Sequence, residues 1–424
     1  MVAPPYDVIS PEQQRRLLAR DPRNVVRLDL PPEEPGDEPD ERYRRAARTL
    51  AAWRSDGTLR RDPNPALYAY EQRYRVPGSE REATRRGVFA RVGLEPFGPG
   101  SGVRAHERTL AGPREDRYRL LRATAVNTSP VVGLADDPSG RVAAWLREIA
   151  DTKPSAEVVD DAAVQHRLWV VAAGENDARD RAIGEITGAL GWGPITLADG
   201  HHRYETALRY ADEQRRTADV EDEAAWNEIL ALVLEPEEGA LTVLPTHRVL
   251  LGLDDETRSG LLQRAGELFD VEEGIDRERL VATFGASEFA SGGAGRFGLW
   301  TREGGAILRA RRAAFAPFLP PGGPAVRRLD VTLASVAIER LARLDPAAVA
   351  AGRLAFTMSA ADAVAWVEEG RAPTGGDAAD AALLLEPTPP SEIVAVAADG
   401  DVMPQKSTYI YPKAITGLVI NPLE

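Results

Sequence analysis

A strand, a glycine turn and a helix follow one another in the stretch ITLADGHHRYETALRYADEQ at residues 195–214, and this stretch constrains the fold most. Residues 195–198 are apolar and predict a short buried strand. From Tyr204 onward, apolar residues recur at offsets 0, 3, 4 and 7, which predicts one face of an amphipathic helix. The turn between the two elements therefore lies at the carboxyl end of a strand, where open α/β sheets place their ligands.

The turn itself reads DGHHR, with Asp199 or Gly200 as a plausible cap for the helix. His201, His202 and Arg203 then place three cationic or potentially cationic side chains in the first helical turn. The helix dipole already carries partial positive charge there. A bound anion would relieve this crowding, because free backbone N–H groups at a helix start are ready donors for phosphate. We therefore predict a phosphate site at this turn; the alternative is a solvated, mildly strained turn.

Composition narrows the class of ligand. The chain has 424 residues, a net charge of −14 and no cysteine. An acidic chain offers no broad basic face for nucleic acid or anionic lipid, so a small anionic ligand suits a local cationic pocket better. The lack of cysteine excludes disulfides, zinc thiolates and thiol nucleophiles. No apolar run approaches the length of a membrane span and the N-terminus is not a signal peptide, so we expect a cytoplasmic protein of more than one lobe.

Lysine is rare in this chain. Of the 52 basic residues only three are lysine: Lys153, Lys406 and Lys413. Where arginine is the default, a retained lysine indicates that a compact point charge is needed, and the alternative is chance. Two of the three lie in MPQKSTYIYPK at 403–413, which alternates as an edge strand. Ser407 and Thr408 follow Lys406, but the glycines and the helix of a P-loop are missing.

Several further candidates are polar residues in apolar or rigid surroundings. The block at 103–134 is dense in polar residues and forms either a site or a helix capped by its own charged loop. Prolines at positions 4 and 5 stiffen the segment that precedes another two candidates. A lone His–Arg pair in LTVLPTHRVLL is more often structural than functional. These candidates are His106, Glu107, Thr109, Arg117, Asn127, Ser129, Tyr6, Asp7, His247 and Arg248.

The remaining pattern predicts the other elements and the domains. We expect a strand at 25–30, an antiparallel hairpin from 66–74 and 86–94, and a helix at 224–234. Residues 168–215 predict a β-α-β-α unit. We divide the chain into a core lobe at 1–250, which carries the HERT and DGHHR segments, and a C-terminal α/β lobe at 251–424 whose tail returns to the site.

Five sequence blocks stand out along the chain: APPYDVIS at 3–10, HERTLAGPREDR at 106–117, ADGHHRYETAL at 198–208, LPTHRVL at 244–250 and MPQKSTYIYPK at 403–413. In these blocks the sequence resembles the bacterial and archaeal family catalogued as domain of unknown function 1015. Family members usually carry a further segment ahead of the first block, so we expect either that the start is misassigned or that a first strand is missing.

The DGHHR box also resembles the Asp-Gly-His-x-Arg element with which ADP-dependent free serine kinases of the ParB/sulfiredoxin-like fold bind nucleotide phosphates. Genes of the domain of unknown function 1015 family often lie beside serine-biosynthesis genes. The resemblance implies a mixed α/β (α+β) fold with a ParB/sulfiredoxin-like core and an appended lobe. It also implies phosphoryl transfer between ATP or ADP, with Mg²⁺, and serine or phosphoserine.

Phosphoryl transfer needs cations around the phosphate oxygens, a metal, and a carboxylate that orients or deprotonates a hydroxyl. Under this hypothesis Glu107 is the general base, beside His106. Asp199 contacts Mg²⁺ or orients a histidine. Lys406 and Lys413 are candidate point charges on the transferred group. His202, a further catalytic candidate, holds the phosphates together with His201, Arg203 and the helix N–H groups. Gly200 is also expected to bind phosphate or substrate, and Ser407 and Thr408 either bond a phosphate or contact the metal.

Two other classes of function stay open. A zinc hydrolase could use three of the five histidines, but His201 and His202 point about 100° apart on a helix and do not easily share an ion. A ParB-like protein could instead be a nucleotide-binding switch or a DNA adaptor, although the acidic charge disfavours DNA. The expected partners are a nucleotide and a small anionic metabolite, without nucleic acid or membrane, and a homodimer is left open.

Overall fold

The computed structural model describes residues 1–98, 100–107, 111–217, 224–235, 241–285, 295–371 and 377–424, with only the backbone at 111–113. The fold is mixed α/β, as predicted. In these ranges every helix is too short or too polar to cross a lipid bilayer.

The larger sheet lies in the first part of the chain. Its strands are β1 Ala66–Arg75, β2 Glu82–Gly93, β3 Val103–Arg104, β5 Val131–Leu134, β6 Ala156–Val159, β7 Gln165–Ala172, β8 Ile195–Asp199 and β9 Glu228–Leu234. Among the described residues their order is β3-β8-β5-β9-β2-β1-β7-β6. The predicted hairpin is confirmed as the antiparallel pair β1–β2, in which Tyr70 lies opposite Gly87. The strand β8, which leads into the DGHHR turn, runs parallel to β3 and antiparallel to β5.

The second sheet has the order β12-β14-β13-β16-β11-β15 within the described ranges, and two short pairs, β10–β17 and β4–β18, connect distant segments. The strands are β4 Val126–Asn127, β10 Thr242–Leu244, β11 His247–Leu251, β12 Phe269–Ile275, β13 Arg296–Thr301, β14 Gly304–Ala310, β15 Leu354–Thr357, β16 Ala379–Leu384, β17 Tyr409–Tyr411 and β18 Asn421–Pro422. The domain boundary at residue 250 stays a prediction.

Helices cover and connect the sheets. The α-helices are α1 Pro11–Arg20, α2 Val26–Asp29, α3 Glu41–Ser55, α4 Ala111–Thr124, α5 Arg141–Ala150, α6 Asp177–Leu190, α7 His201–Thr217, α8 Asp255–Ser259, α9 Leu261–Leu268, α10 Arg277–Phe284, α11 Arg312–Phe315, α12 Pro324–Arg328, α13 Asp330–Ala342, α14 Pro346–Ala350, α15 Ala360–Glu369 and α16 Pro390–Ala398. One hydrophobic core contains side chains of both sheets, among them Leu232 and Phe297, and includes Met403 and Ile410 of the tail. The tail is therefore part of the core.

Three predicted elements differ from the structure. The strand predicted at 25–30 is wrong: residues Val26–Asp29 form a short helix, and the Val26 N–H at its start donates to Asn24 Oδ1 at 3.0 Å. The helix predicted at 224–234 is mostly strand β9, because this apolar run is buried between two neighbouring strands. The tail is extended only over β17, since Lys406 has a left-handed φ of 55° that interrupts an extended chain.

Two buried side chains of the large sheet hold the tail in place. The Gln72 amide donates to the Lys413 carbonyl at 3.0 Å, and Arg85 donates to the Gln72 Oε1 at 3.0 Å. The Arg85 guanidinium also donates to the carbonyls of Tyr411, at 3.3 Å, and of Pro412. Both side chains are buried, so these donors satisfy carbonyls that solvent cannot reach.

We predict that Arg85→Ala lowers the free energy of unfolding by about 2 to 4 kcal/mol, because it leaves a cavity and several buried acceptors without donors. Urea denaturation measures the change. Arg75→Ala is the matched control on the adjacent strand: its ion pair with Glu80 is exposed, and we expect a change within about 0.5 kcal/mol. Equal losses in the two variants would contradict the anchoring role of Arg85.

Candidate functional site

The DGHHR turn is built as the sequence predicts. Strand β8 ends at Asp199, and helix α7 begins at His201. Gly200 between them has a φ of +88°, a conformation that glycine adopts without strain. The Tyr204 N–H donates to the Gly200 carbonyl at 3.0 Å. The N–H groups of the three preceding residues lie ahead of this bond in the first turn, where backbone donors have no partner within the helix.

Asp199 holds two cations. Its Oδ2 accepts from Arg203 Nη2 at 2.6 Å, and its Oδ1 accepts from the Lys413 ammonium group of the tail. The three side chains are only 12–14% exposed. Burial by itself raises the pKa of Asp199, but the two cations outweigh it and hold this pKa well below its usual range. One negative charge thus faces two positive charges, and the cluster carries a net positive charge next to a helix N-terminus.

The histidines contribute hydrogen bonds rather than charge. His106 Nδ1 bonds the Leu197 carbonyl, which makes Nδ1 the protonated nitrogen, and Nε2 then accepts from Thr408 Oγ1 at 3.1 Å. The His106 N–H donates to His201 Nε2 at 3.4 Å, and the two rings meet edge to face with centroids 4.6 Å apart. Burial lowers the pKa of His106 to about 4 and that of His201 well below its usual value. Both imidazoles are therefore neutral at pH 7.

This corrects the expectation of three crowded cations. Of the side chains in the first turn of α7, Arg203 stays protonated, because the nearby acidic side chains raise its pKa. Burial lowers the pKa values of His201 and His202, which disfavours their charged forms. The second buried cation, Lys413, lies 214 positions further along the chain. Sequence neighbours therefore supply only part of the positive charge, and the fold adds the rest.

Glu107 lies beside this cluster. It forms a parallel bridge with Met403, and its Oε1 accepts the Lys406 N–H at 3.0 Å. Burial raises the pKa of the Glu107 carboxyl, although Lys406 and Lys413 oppose the shift. A carboxylate with a raised pKa is a better proton acceptor at neutral pH than an ordinary one. The Lys406 residue itself is exposed.

The LPTHRVL block supports the tail from the second sheet. Arg248 Nη2 donates to the Lys406 carbonyl at 3.4 Å, and burial lowers its pKa to about 10. His247 Nδ1 accepts the Leu385 N–H at 3.1 Å, and burial lowers its pKa to about 3. Ser407 donates to the Pro404 carbonyl within the same turn. The Arg248 and Ser407 hydrogen bonds thus hold the turn in which the Lys406 N–H donates to Glu107.

The N-terminal segment closes another side. The Tyr6 N–H donates to Asp29 Oδ2 at 3.2 Å, and the Arg117 guanidinium lies 4.0 Å from the centre of the Tyr6 ring. Exposed Asp7 acts electrostatically on both Arg203 and Lys413, so it faces the cationic cluster. Asp7 is thus a second acidic side chain, besides Asp199, that faces Arg203 and Lys413.

Sequence reasoning missed Asp29. This buried carboxylate accepts from Thr128 Oγ1 at 2.6 Å and from Ser129 Oγ at 3.5 Å, and Arg117 lies 3.8 Å from it. An acidic residue directly between Leu28 and Leu30 in the run VVRLDL is the signal that could have identified it.

The other candidates have different surroundings. Asn127 Oδ1 accepts from the Leu230 N–H and from Asn421 Nδ2, both at 3.0 Å, and so joins β4 to β9 and β18. Thr109 lies outside the described residues. The described His, Asp and Glu side chains do not include a group of three or more arranged to hold a metal ion.

Comparisons with known proteins give one family match and several distant structural similarities. The model of the family described as "Protein of unknown function (DUF1015)" matches residues 1–332. No curated protein matches the chain. A free serine kinase in complex with AMP is 12% identical with a TM-score of 0.37, covering 76% of this chain and 86% of that one. A conserved hypothetical protein from Pyrococcus furiosus is 13% identical with a TM-score of 0.36, covering 76% and 90%. SbnI with a C-terminal truncation, from Staphylococcus aureus, is 11% identical with a TM-score of 0.36, covering 77% and 85%.

We predict that Asp199→Asn lowers the free energy of unfolding at pH 7 by about 3 to 5 kcal/mol, because two buried cations lose their partner. The pKa of Asp199 is depressed in the folded state, so its contribution is present above the unfolded pKa of about 4 and is lost as the pH falls further. The difference in free energy of unfolding between the wild type and Asp199→Asn should therefore become smaller below pH 4, as measured by denaturant titrations.

Asp212→Asn is the control on helix α7, which follows Asp199, since Asp212 forms an exposed ion pair with Arg215. We expect it to change the stability within about 0.5 kcal/mol. A gap between wild type and Asp199→Asn that is the same at pH 7 and at pH 3 would contradict the assignment.

Proposed function

This chain belongs to the DUF1015 family, and from its own site we propose that it is a phosphotransferase acting between a nucleotide and a small hydroxyl metabolite, with serine as the acceptor. One observation carries the proposal: Lys413 and Arg203 share the single carboxylate of Asp199 at the start of helix α7. Positive side chains and the N–H groups of the helix start meet there in a mostly buried place. An anion with several oxygens, such as a nucleotide phosphate, completes that arrangement.

Phosphate binding follows from three kinds of donor. The N–H groups of the first turn of α7 point along the helix axis toward the ligand. Lys413 supplies a compact charge on one side, and Arg203 supplies part of its guanidinium on the other. His201 and His106 are neutral, so they fix geometry without adding repulsion between cations.

Glu107 suits the proton transfer. In the proposed step the hydroxyl oxygen of the acceptor attacks the terminal phosphorus, and its proton passes to Glu107. The new oxygen–phosphorus bond forms while the bond to the bridging oxygen of the nucleotide breaks, and the electron pair leaves with the shortened nucleotide. Lys413 and Lys406 lie where they can stabilise charge on the transferred group. Serine is chosen as acceptor from the likeness of the DGHHR box to that of free serine kinases.

A resident magnesium site does not fit the described side chains. Both Asp199 oxygens are engaged by cations, and Glu107 Oε1 accepts a backbone N–H. A Mg²⁺ ion would therefore arrive with the nucleotide, held mainly by its phosphates. No step of the proposal is assigned to it.

The other candidate functions fit less well. A zinc hydrolase needs three converging ligands, which the described residues do not offer. A nucleotide switch without transfer would use the same cations, but it has no need for a partly buried carboxylate with a raised pKa beside them. Glu107 is thus the residue that favours transfer over binding alone.

We predict that Glu107→Gln lowers kcat by about 10²-fold to 10⁴-fold, because the proton acceptor is lost while the phosphate donors remain. Phosphorus NMR of ADP or ATP with serine and Mg²⁺ follows the appearance of phosphoserine. The dissociation constant of ADP should stay within about threefold of that of the wild type. A fully active Glu107→Gln enzyme would exclude this carboxylate as the base. A wild-type protein that forms no phosphoserine with any nucleotide would contradict the proposed phosphotransferase activity.

We predict that Lys413→Met removes most of the rise in melting temperature that ADP causes in the wild type, because a ligand stabilises only through the contacts that it makes in the folded state. Arg203 still neutralises Asp199 in this variant, so the fold should persist. Lys153→Met is the control, because Lys153 is exposed and lies outside the site. An unchanged ADP shift in Lys413→Met would contradict the proposed phosphate site.

A further inference from the structure

A second cleft, of about 390 Å³, lies apart from the site described above and shares none of its residues. Residues 417–422 near the C-terminus line this cleft, and so do residues 59–66. Its floor includes the buried side chains of Leu50, Val126 and Leu230. The volume is in the range of pockets that hold small organic molecules.

The rim of this cleft is cationic. Four arginines line it, against the single acidic residue Asp62, whose carboxylate accepts the Tyr68 hydroxyl at 2.7 Å. Glu424 and Glu228 pair with two of these arginines, so the arginines here outnumber the acidic side chains by one in a chain with a net charge of −14. The four arginines are Arg54, Arg60, Arg61 and Arg91.

The guanidinium groups of these arginines are exposed and can pair with an anionic ligand. Arg54 reaches Glu424 at 3.3 Å, and Arg91 reaches Glu228 at 2.8 Å, in ion pairs open to solvent. Exposed pairs of this kind are weak and are readily replaced by a stronger anion. Arg60 and Arg61 are themselves exposed at the mouth of the cleft.

The interior is apolar by contrast. Leu59, Leu418 and Ile420 line the cleft together with the buried floor. A molecule that fills the cleft thus meets carbon surface inside and guanidinium groups at the rim. A free phosphate would use only the rim, and a neutral apolar molecule only the interior.

We propose that this cleft binds an amphipathic organic anion: an apolar body lies against Leu59, Leu418 and Ile420, and a phosphate or carboxylate head pairs with the arginines. Arginine suits such heads because its planar fork can donate two parallel hydrogen bonds to them. The apolar lining favours a free molecule, whose body it can contact, over a head group whose chain stays in a membrane. The proposal stands independently of the phosphotransferase activity.

Isothermal titration with octyl phosphate below its micelle concentration tests the proposal. The expected result is saturable binding of one molecule per chain, weakened about tenfold or more in Arg60→Glu/Arg61→Glu, because two charges at the mouth are reversed. Arg181→Glu/Arg216→Glu, which reverses two exposed arginines on α6 and α7, is the charge-matched control and should bind as the wild type does. Lys413→Met should also bind normally, which separates this cleft from the phosphate site.

Two further arms test the halves of the ligand. Inorganic phosphate and octanol should each bind at least about tenfold more weakly than octyl phosphate, since each uses half of the cleft. Sedimentation with phosphatidylcholine vesicles, with and without phosphatidic acid, should show no binding. The proposal is overturned by absent binding in the wild type, by equal binding in Arg60→Glu/Arg61→Glu, or by binding to phosphatidic acid vesicles alone.

Discussion

Asp199 is the point on which the architecture of the site depends. Its carboxylate is the common acceptor for Arg203, in the first turn of helix α7, and for Lys413, which lies 214 positions further along the chain. Without that carboxylate, two cations would be buried close together beside a helix N-terminus, which is unfavourable on every count. With it, Asp199, Arg203 and Lys413 form a paired buried cluster that carries one net positive charge, and exposed Asp7 faces this cluster. The same contact that stabilises the fold therefore leaves a place for an anion.

Long-range packing makes this contact possible. Gln72 and Arg85 of the large sheet hold the backbone of the tail, while Arg248 of the second sheet holds the Lys406 turn. Met403 and Ile410 anchor the tail in the common core. The site thus forms only when both sheets and the tail are in place, and Glu107 meets Lys406 through that assembly.

Local patterns were enough to predict part of this structure. The strand, the glycine turn and the helix around DGHHR, and the β1–β2 hairpin, follow from periodicity and from the special backbone of Gly200. The charge states of His106 and His201 could not be predicted, because burial sets them and burial depends on distant segments. Strand β9 was mistaken for a helix, since a short apolar run fits either element and only its neighbours decide. Asp29 was missed because its partners, Tyr6, Thr128 and Ser129, are remote in sequence.

The most direct measurement of the central claim is a nitrogen-15 NMR titration of the backbone amides with ADP. If phosphate oxygens occupy the start of α7, the amide signals of His201, His202 and Arg203 should shift first and most, and the side-chain ammonium of Lys413 should respond with them. Shifts confined to other segments, with these amides unchanged at saturation, would contradict the assignment of this turn as the phosphate site.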